Sequence, residues 1–378
     1  MIFFKDFIKA DFISRPNRFI VFCEINGKKI KAYLPNPGRL HELFFSGVTL
    51  YLEKNDKATR VTKYTVIAVE RDNIPIMLHT HRTNDIVEQL LKKGLVPGFG
   101  KITSMRREVK QGRSRFDFFI ESKSKSTFIE VKSCTLTSKS VAMFPDAVTA
   151  RGKKHLEELA ELSTKSQKGV VLFLINSPSA TMFLPDYHTD PDFAETMLKV
   201  RNKISITPLA VKWDKIMSID LSQLRILKIP WKILEREFRD SGCYFIILKL
   251  SKPKIINVGS LGKIKFEKGY YIYTGSAKKN LVKRIKRHRS TGKKTFWHID
   301  YLREKAEFIT DLPIRTSDDI ECSLARDMKN ISVEEVSGFG CSDCKCSSHL
   351  FRMKDNPLSN KKFMEVLLYY RLERIVKM

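Results

Sequence analysis

Alternating apolar and polar positions predict a series of short β-strands between residues 18 and 78. Two of these runs flank Asn26-Gly27, a dipeptide that is typical of tight hairpin turns. The apolar runs cover residues 19–25, 30–34, 48–52 and 64–69. About five short strands in one segment favour a small closed barrel, for example one of the oligonucleotide-binding (OB) type. We therefore assign residues 1–80 to an N-terminal β-barrel domain.

The pattern changes to a mixture of helices and strands after residue 80. Residues 83–94 have the apolar spacing of a helix and end in a glycine. Further strands are predicted near 109 and at 116–120, 128–131, 169–175 and 206–213, with helices at 147–164 and 192–203. Such an alternation is typical of an α/β domain, which we assign to residues 81–215.

Residues 216–240 are rich in Lys and Arg and contain Pro230 and Trp231, which favours a linker. Another pattern of strands and helices begins at Gly242 and ends in an amphipathic helix from Asn360. We assign residues 241–378 to a C-terminal α/β domain. The predicted fold class is therefore multidomain, with α/β and α+β parts.

The charge of the chain indicates a polyanionic partner. Lys and Arg number 69 against 42 Asp and Glu, a formal net charge of +27. Neutralising phosphates releases their condensed counterions, so DNA is the expected partner and RNA the alternative. A generally Lys-rich proteome would also explain the charge. No stretch reaches the roughly 18 apolar residues of a membrane span, and no signal-peptide run is present. We expect a cytoplasmic protein without a membrane partner.

Asp117, Glu130 and Lys132 are charged residues within two otherwise apolar predicted strands. Side chains alternate along a strand, so Glu130 and Lys132 point the same way, and antiparallel pairing can bring Asp117 to them. Two carboxylates suit Mg²⁺ or Mn²⁺, and a nearby Lys can orient water or stabilise a charged phosphate. This grouping fits phosphodiester hydrolysis. The alternative is an exposed hairpin face with an ordinary cross-strand ion pair.

Several long, ordered motifs lie within residues 10–215. They are Asn36-Pro-Gly-Arg-Leu, Arg106-Arg-Glu-Val-Lys, Ser114-Arg-Phe-Asp-Phe, Phe128-Ile-Glu-Val-Lys-Ser-Cys-Thr-Leu and Met143-Phe-Pro-Asp-Ala-Val-Thr-Ala-Arg-Gly-Lys-Lys-His-Leu. Together they resemble the sugar fermentation stimulation protein A family. The resemblance implies an OB-type barrel, a PD-(D/E)XK nuclease-like domain and DNA binding. It places Asp117, Glu130 and Lys132 in that superfamily's catalytic motif.

The same resemblance implies further site residues. Glu88, on the predicted helix at 83–94, would be an additional carboxylate near the metal. The residues expected to contact nucleic acid are Arg39, Arg115, Arg151, Lys154 and His155. Arg151 and His155 lie four apart, on one face of a helix, where they could contact a phosphate. A solvated basic face with Asp146 as the helix cap is the alternative.

Gly242-Cys-Tyr and Tyr273-Thr-Gly resemble the paired motifs of GIY-YIG nucleases, and the resemblance covers about residues 240–355. It implies that Tyr244 and Tyr273 bind or activate the nucleophilic water. Arg284 would stabilise phosphate charge, His288 would assist proton transfer, and Glu321 would hold a divalent ion. Arg287 and Lys294 are expected to contact nucleic acid. Without the resemblance, ordinary packing of the tyrosines would be the favoured interpretation.

Seven cysteines, an odd number, do not indicate a disulfide framework. Cys341-x₂-Cys344-x-Cys346-x₂-His349 has suitable chemistry for zinc, but a single short loop rarely surrounds an ion. Cys322 could replace one of these residues, which gives Cys322, Cys344, Cys346 and His349 as candidate Zn²⁺ ligands. A packed loop of reduced thiols is the alternative.

The sequence thus predicts a DNA-binding protein with metal-dependent nuclease activity at Asp117, Glu130 and Lys132, and a second nuclease-like site in the C-terminal domain. The alternative is a non-catalytic, regulatory DNA-binding protein, linked to sugar metabolism through the family's name, in which the nuclease folds serve as scaffolds.

Overall fold

The structure is a computed structural model that describes residues 1–55, 61–122 and 125–376. The chain divides into two units, Met1–Trp231 and Lys232–Met378. Within the described ranges, none of the helices combines the length and the apolar character that a membrane crossing needs.

The N-terminal strands close into a barrel. They are β1 (Phe7–Asn17), β2 (Ile20–Ile25), β3 (Lys28–Tyr33), β4 (Thr49–Lys54), β5 (Tyr64–Arg71) and β6 (Ile74–Met77). Their order is β3-β2-β1-β4-β5-β6, and a parallel pairing of β3 with β5 closes the first five into a barrel. Asn26 and Gly27 have φ values of 49° and 77°, as the tight β2–β3 turn requires. The predicted OB-like barrel is confirmed.

A mixed α/β layer follows the barrel. Its elements are α1 (Thr83–Lys92), β7 (Ile102–Gln111), β8 (Ser114–Ser122), β9 (Lys125–Cys134), β10 (Val141–Phe144), α2 (Ala150–Leu162), β11 (Gln167–Ile175), β12 (Met182–Pro185), α3 (Pro191–Val200), β13 (Ser205–Ala210) and β14 (Arg225–Ile226). The sheet order is β14-β13-β11-β9-β8-β7. Strands β9, β11 and β13 are parallel, whereas β7, β8 and β9 are antiparallel. The separate β10–β12 pair is parallel.

Both faces of this sheet are covered, which explains the continuous apolar sequence of β11. Val170, Leu172 and Leu174 pack in a core that includes α1 and residues of the barrel strands. The alternate residues of β11 pack in a second core with α2 and α3. The central sheet therefore lies between the barrel and α1 on one side and two helices on the other.

The segment expected to be a linker contributes to the first unit. Met217 and Ile219 are buried in the core that contains α1, and Leu227 is buried in the core with α2 and α3. Strand β14 pairs with β13. Residues 216–229 are therefore part of the fold rather than a free linker. The sequence favoured a linker because Lys and Arg residues surround the few apolar residues that are buried.

The second unit is built on an antiparallel sheet. Its elements are α4 (Trp231–Glu237), β15 (Gly242–Leu250), β16 (Lys254–Asn257), β17 (Lys263–Phe266), β18 (Gly269–Ala277), α5 (Leu281–Arg289), α6 (His298–Arg303), β19 (Glu307–Arg315), α7 (Glu321–Ile331), β20 (Glu334–Glu335), β21 (Leu350–Met353) and α8 (Lys361–Leu368). The order is β19-β15-β18-β21-β20, and β16 and β17 form a separate hairpin. The predicted mixed α/β, multidomain class is confirmed.

Candidate functional sites

Glu130 and Lys132 lie on the same face of β9, as strand alternation predicts. Ile129 and Val131 point the other way, into the core shared with α1. The Lys132 Nζ atom lies 2.5 Å from Glu130 Oε1. The carboxylate of Glu130 is buried, so this charged pair does not lie on an ordinary exposed hairpin face.

Asp117 occupies the point at which β8 and β9 separate. Regular pairing of these strands ends at Phe118 and Ile129. Beyond it, the Val131 backbone N–H donates to Asp117 Oδ2 at 2.7 Å. The Asn84 side-chain amide, from α1, donates to Asp117 Oδ1 at 2.7 Å. Asp117 and Glu130 are close enough for the charge of Glu130 to raise the pKa of Asp117. The residues of the predicted hairpin site therefore converge, and Asn84 joins them.

His155 is buried against Glu130. Its Nδ1 atom lies 2.5 Å from Glu130 Oε1, and its Nε2 atom lies 3.4 Å from Arg151 Nε. This placement differs from the predicted phosphate contact, because an imidazole that is 4% exposed and faces a carboxylate is not open to a nucleic acid. Arg151, one turn away, is exposed.

The two carboxylates of this site differ in their pKa values. Burial, followed by the charge of Glu130, raises the pKa of Asp117 despite the hydrogen bonds from Val131 and Asn84. Burial would also raise the pKa of Glu130, but the contacts with His155 and Lys132 outweigh it and lower that pKa. Glu130 Oε2 is buried and has no hydrogen-bond partner among the described residues. Both carboxylates and the Val131 carbonyl could serve as oxygen ligands of a divalent cation.

Glu88 lies one helical turn from Asn84, on the same face of α1. Its carboxylate contacts Lys92 at 2.8 Å and Arg107 at 3.4 Å. The structure therefore pairs Glu88 with two cations, and it is Asn84 whose side chain reaches Asp117.

The other basic residues assigned to nucleic-acid binding in the first unit are exposed. Arg115 contacts Glu108 at 2.8 Å, and Lys154 lies 3.6 Å from Glu158. Exposed pairs of this kind contribute about 0–1 kcal/mol, so the cations can exchange partners easily. The Arg39 side chain is exposed as well.

Asp146 fastens a loop and does not cap α2. Thr149 caps that helix by accepting a hydrogen bond from the Gly152 backbone N–H at 3.0 Å. The backbone N–H groups of Arg39 and Leu40 instead donate to the Asp146 carboxylate. A Cβ atom on Gly38 would lie 2.2 Å from Asp146 Oδ2, so only glycine fits there. The motif that begins at Asn36 therefore contacts the motif that begins at Met143, and the contact stabilises the loop that contains Gly38.

In the second unit, the residues of the two paired motifs surround His288. The Tyr244 hydroxyl lies 2.9 Å from His288 Nε2, and the Tyr273 and His288 ring centroids are 6.0 Å apart. The Arg284 guanidinium lies over Trp297, whose ring is 5.4 Å from His288. Helix α5 thus presents Arg284 and His288 to the tyrosines of β15 and β18.

Burial disfavours the charged forms of Tyr244, Tyr273 and His288. It raises the pKa of Tyr244 and of Tyr273 well above the ordinary value for a phenol. It also lowers the pKa of His288 to about 3, with help from nearby cations. A neutral imidazole can accept a hydrogen bond from the Tyr244 hydroxyl, whereas both a free phenolate and an imidazolium are disfavoured by burial.

Glycines at both motifs allow close packing. A Cβ atom on Gly242, which has a φ of 134°, would lie 2.2 Å from the Ile314 carbonyl oxygen. A Cβ atom on Gly275 would lie 2.5 Å from Cζ and Oη of Tyr244. The small residue of β18 therefore makes room for the ring of β15.

We expect Gly275→Ala to destabilise the second unit by about 2 kcal/mol, since overpacking a core costs this much. Chemical denaturation of the full chain, monitored by hydrogen exchange in peptides from residues 232–378, measures the change in the free energy of unfolding. The same substitution in a Tyr244→Leu background should cost much less, because the clashing ring is gone. An equal cost in both backgrounds would contradict the packing argument.

Glu321, the first residue of α7, contacts two other elements. The Ser276 hydroxyl donates to its Oε2 atom, and His349 Nδ1 lies 3.2 Å from its Oε1 atom. Together with Gly242 and Lys278 it lines a cleft of about 500 Å³. The predicted metal carboxylate is thus accessible, although both of its oxygens are engaged.

Arg287 is held within the protein. Its guanidinium donates to both oxygens of Asp300 at 3.0 Å and to the Lys294 carbonyl at 3.1 Å, and it lies over Trp297. These contacts assign Arg287 a structural role, in contrast to the predicted contact with nucleic acid. The Lys294 side chain is exposed.

The candidate zinc ligands converge although they come from two parts of the chain. The four are Cys322, Cys344, Cys346 and His349, and their ligand atoms all lie within 4.8 Å of one another. Cys322 belongs to α7, and the others belong to the loop before β21. The sequence alternative of a loop packed on itself does not account for the contribution of α7.

Comparisons with known proteins agree with the domain order. Residues 13–78 match the SfsA N-terminal OB domain, and residues 81–216 match the sugar fermentation stimulation protein RE domain. Residues 243–370 match a domain of unknown function, DUF123. The barrel, the covered α/β sheet and the antiparallel second unit define a multidomain protein in which an OB domain is followed by two mixed α/β domains.

Similar proteins give the family. A sugar fermentation stimulation protein homolog of Methanothermobacter thermautotrophicus is 32% identical over 225 residues, which are 59% of this chain and 94% of the relative. A homolog of Clostridium kluyveri is 38% identical over 198 residues, 52% of this chain and 86% of the relative. The chain belongs to the sugar fermentation stimulation protein family.

A solved structure supports the same assignment. The structure of Pyrococcus furiosus SfsA in complex with Ca²⁺ is 26% identical and has a TM-score of 0.54. The similarity covers 59% of this chain and 96% of that chain. The relatives from Methanothermobacter thermautotrophicus and Pyrococcus furiosus are covered almost completely but match only 59% of this chain, which also contains the DUF123 match at residues 243–370.

Proposed function

We propose that the first unit binds DNA and hydrolyses its phosphodiester bonds with a divalent cation held by Asp117 and Glu130. The observation that carries this proposal is Glu130 Oε2, a buried carboxylate oxygen without a hydrogen-bond partner among the described residues. A buried charged oxygen is costly unless it is paired. A cation bound there would supply the missing partner of Glu130 Oε2. It would also offset the burial and the charge of Glu130 that raise the pKa of Asp117.

The donor set suits a hard cation. Carboxylate and carbonyl oxygens are the ligands of Mg²⁺ and Mn²⁺, and Ca²⁺ uses the same ligand type. The relative from Pyrococcus furiosus was solved in complex with Ca²⁺, which supports a cation site in this family. A bound cation supplies Lewis acidity and lowers the pKa of a coordinated water.

Lys132 and His155 have separate tasks in this proposal. Both contact Glu130 Oε1, so they hold the carboxylate in one orientation and leave Oε2 free to bind a cation. The Lys132 ammonium is partly exposed and can also stabilise negative charge that develops on a phosphate. Asn84 holds the Asp117 carboxylate in place through a hydrogen bond to Oδ1.

DNA is the proposed substrate because of the charge and the barrel. The chain has a formal net charge of +27, and Arg39, Arg115, Arg151 and Lys154 are exposed on the first unit. Binding through phosphates should weaken steeply as salt is raised. Barrels of the OB type also bind single strands by stacking bases on aromatic side chains.

Purified full-length protein should cleave at least one of branched, single-stranded or duplex DNA when Mg²⁺ or Mn²⁺ is added, and EDTA should stop the reaction. Ca²⁺ should support binding with little cleavage, because it activates bound water less well. Gel assays of binding and cleavage with the same labelled substrates test this. RNA substrates of matched sequence identify the preferred nucleic acid.

Binding without cleavage of every substrate would refute the hydrolytic proposal and favour a regulatory DNA-binding protein. The convergence of Tyr244, Arg284 and His288 makes the second unit a second candidate centre. Arg284→Ala distinguishes the two: if it removes cleavage and Glu130→Gln does not, the second unit is the active centre.

A further inference from the structure

A cluster of sulfur and nitrogen atoms in the second unit has dimensions close to those of a zinc site. Tetrahedral zinc, with Zn–S of about 2.3 Å and Zn–N of about 2.0 Å, requires ligand separations of about 3.6–3.8 Å. The ligand atoms of the cluster lie within 4.8 Å of one another, and Cys344 Sγ is 3.4 Å from His349 Nε2. The thiols of Cys322, Cys344 and Cys346 also contact one another.

We infer that the second unit binds one Zn²⁺ through Cys322, Cys344, Cys346 and His349, and that His349 connects this ion to Glu321. Three thiolates and one imidazole form a structural type of zinc site, with all four positions filled by protein. Soft sulfur ligands favour Zn²⁺ over Mg²⁺ or Mn²⁺, so this site differs in chemistry from the carboxylate site of the first unit.

The exposure of the cysteines favours a metal site over simple packing of reduced thiols. Cys23, Cys134 and Cys243 are buried in the protein, as free cysteines usually are. Cys322 is exposed, and Cys344 and Cys346 are partly exposed. Three thiols gathered at the surface bury little apolar area, so packing alone gives no reason for their convergence.

The metal would also stabilise a loop that otherwise has little regular structure. Residues 336–349 connect β20 to β21 without a helix or strand. Loops of this length in compact domains usually need a functional or structural constraint. A Zn²⁺ ion would tie this loop to the first turn of α7, where Cys322 lies, and its binding energy would contribute to folding.

His349 has an orientation that links the ion to the cleft. Its Nε2 atom faces Cys344, and its Nδ1 atom lies 3.2 Å from Glu321 Oε1. When Nε2 binds the metal, Nδ1 carries the proton and donates to the carboxylate, an arrangement common around zinc. Ser276 donates to the other oxygen of Glu321. Glu321 is therefore positioned from both sides, with the zinc ligand as one of its supports.

Metal analysis of the full-length protein, purified under reducing conditions with Zn²⁺ present, tests the site. We expect one Zn²⁺ per chain, and replacement by Co²⁺ should give the absorption bands of a tetrahedral thiolate complex. Cys322→Ser and Cys344→Ser should each lower zinc affinity strongly. Cys341→Ser is the matched control, because Cys341 is in the same loop but outside the cluster.

Two results would overturn the site: wild-type protein without stoichiometric zinc, or equal loss of zinc in Cys341→Ser and Cys344→Ser. The cobalt spectrum of the wild type needs no variant, so it tests the site even if a variant fails to fold. None of these measurements depends on DNA cleavage, so the zinc site and the proposed hydrolysis stand or fall separately.

The connection to Glu321 has its own test. Loss of the carboxylate that orients a zinc-bound histidine typically weakens metal affinity by about 10- to 100-fold. We expect this change for Glu321→Gln in a chelator competition assay. Glu335→Gln is the control, because the Glu335 carboxylate contacts Lys329 and also contacts the same loop, at Ser347. Unchanged affinity in Glu321→Gln would refute the connection and leave the zinc site intact.

Discussion

Glu130→Gln should lower the rate of metal-dependent DNA cleavage by about 10²- to 10⁴-fold, since a metal contributes several kcal/mol of transition-state stabilisation. The amide keeps the size of the side chain but removes the charge that binds a cation. Binding of DNA should persist, because the change removes a negative charge near the phosphates. Single-turnover cleavage and a binding assay at the same salt concentration measure the two effects.

Glu121→Gln is the matched control for this substitution. Glu121 lies on β8 of the same hairpin and is exposed, and its carboxylate accepts a hydrogen bond from Ser104. The control should keep the wild-type cleavage rate. If Glu130→Gln cleaves as fast as the control does, the carboxylate site of the first unit is not the active centre.

Asp300→Asn should destabilise the second unit by about 3 kcal/mol, because it removes the buried charge that two partly buried cations share. The Asp300 carboxylate is 1% exposed and accepts from Arg287 and Lys293 at 3.0 Å. The Phe296 and Trp297 backbone N–H groups donate to it as well. Hydrogen exchange in increasing denaturant, followed in peptides from residues 232–378, reports the free energy of unfolding of this unit.

The effect of Asp300 should depend on pH in a defined direction. Burial alone would raise the pKa of Asp300, but the hydrogen bonds from Arg287, Lys293 and the backbone lower it to about 2. A lowered pKa in the folded state contributes stability above the unfolded value of 3.8, and this contribution is lost as the pH falls through about 2. The difference between wild type and Asp300→Asn should therefore shrink between about pH 4 and pH 2.

Asp311→Asn serves as the control for Asp300→Asn. Arg289 contacts Asp311 at 2.8 Å, but its side chain is 58% exposed, so this pair should contribute about 0–1 kcal/mol. Equal destabilisation by the two substitutions would show that burial does not strengthen the Asp300 network.

The hairpin of β8 and β9 shows what the sequence could predict. Strand alternation placed Glu130 and Lys132 on one face, and the distance between their charged atoms agrees with this. The convergence of Asp117 followed from pairing alone. The hydrogen bond that Asp117 accepts from the Val131 backbone N–H could not be predicted, because it depends on where the two strands separate.

Contacts between distant elements account for the remaining differences. Asn84 and His155 reach the site from α1 and α2, and neither the composition nor the spacing of the sequence indicates which face of those helices meets β9. Strand β1 was not predicted, since its apolar and polar residues do not alternate regularly and only Ala10 and Phe12 are buried.

The zinc ligands illustrate the opposite case. Short sequence spacing identified Cys341, Cys344, Cys346 and His349, and the geometry of zinc sites suggested that a distant residue such as Cys322 could replace one of them. The structure selects Cys322, from the start of α7, and leaves Cys341 out. The candidate set from the sequence already included Cys322 in place of Cys341, and the packing of α7 against the loop before β21 brings Cys322 to the other three residues.

The core shared by the barrel and the α/β sheet has a consequence for cooperativity. Tyr51, Ile67 and Met77 of the barrel strands pack with α1 and with the sheet in a single apolar cluster. Residues of both matched domains, 13–78 and 81–216, thus contribute to one hydrophobic core. A cut between residues 80 and 81 would expose that cluster on both fragments. The boundary between the two family matches is therefore not a boundary between separate cores, and we expect the first 231 residues to unfold as one cooperative unit.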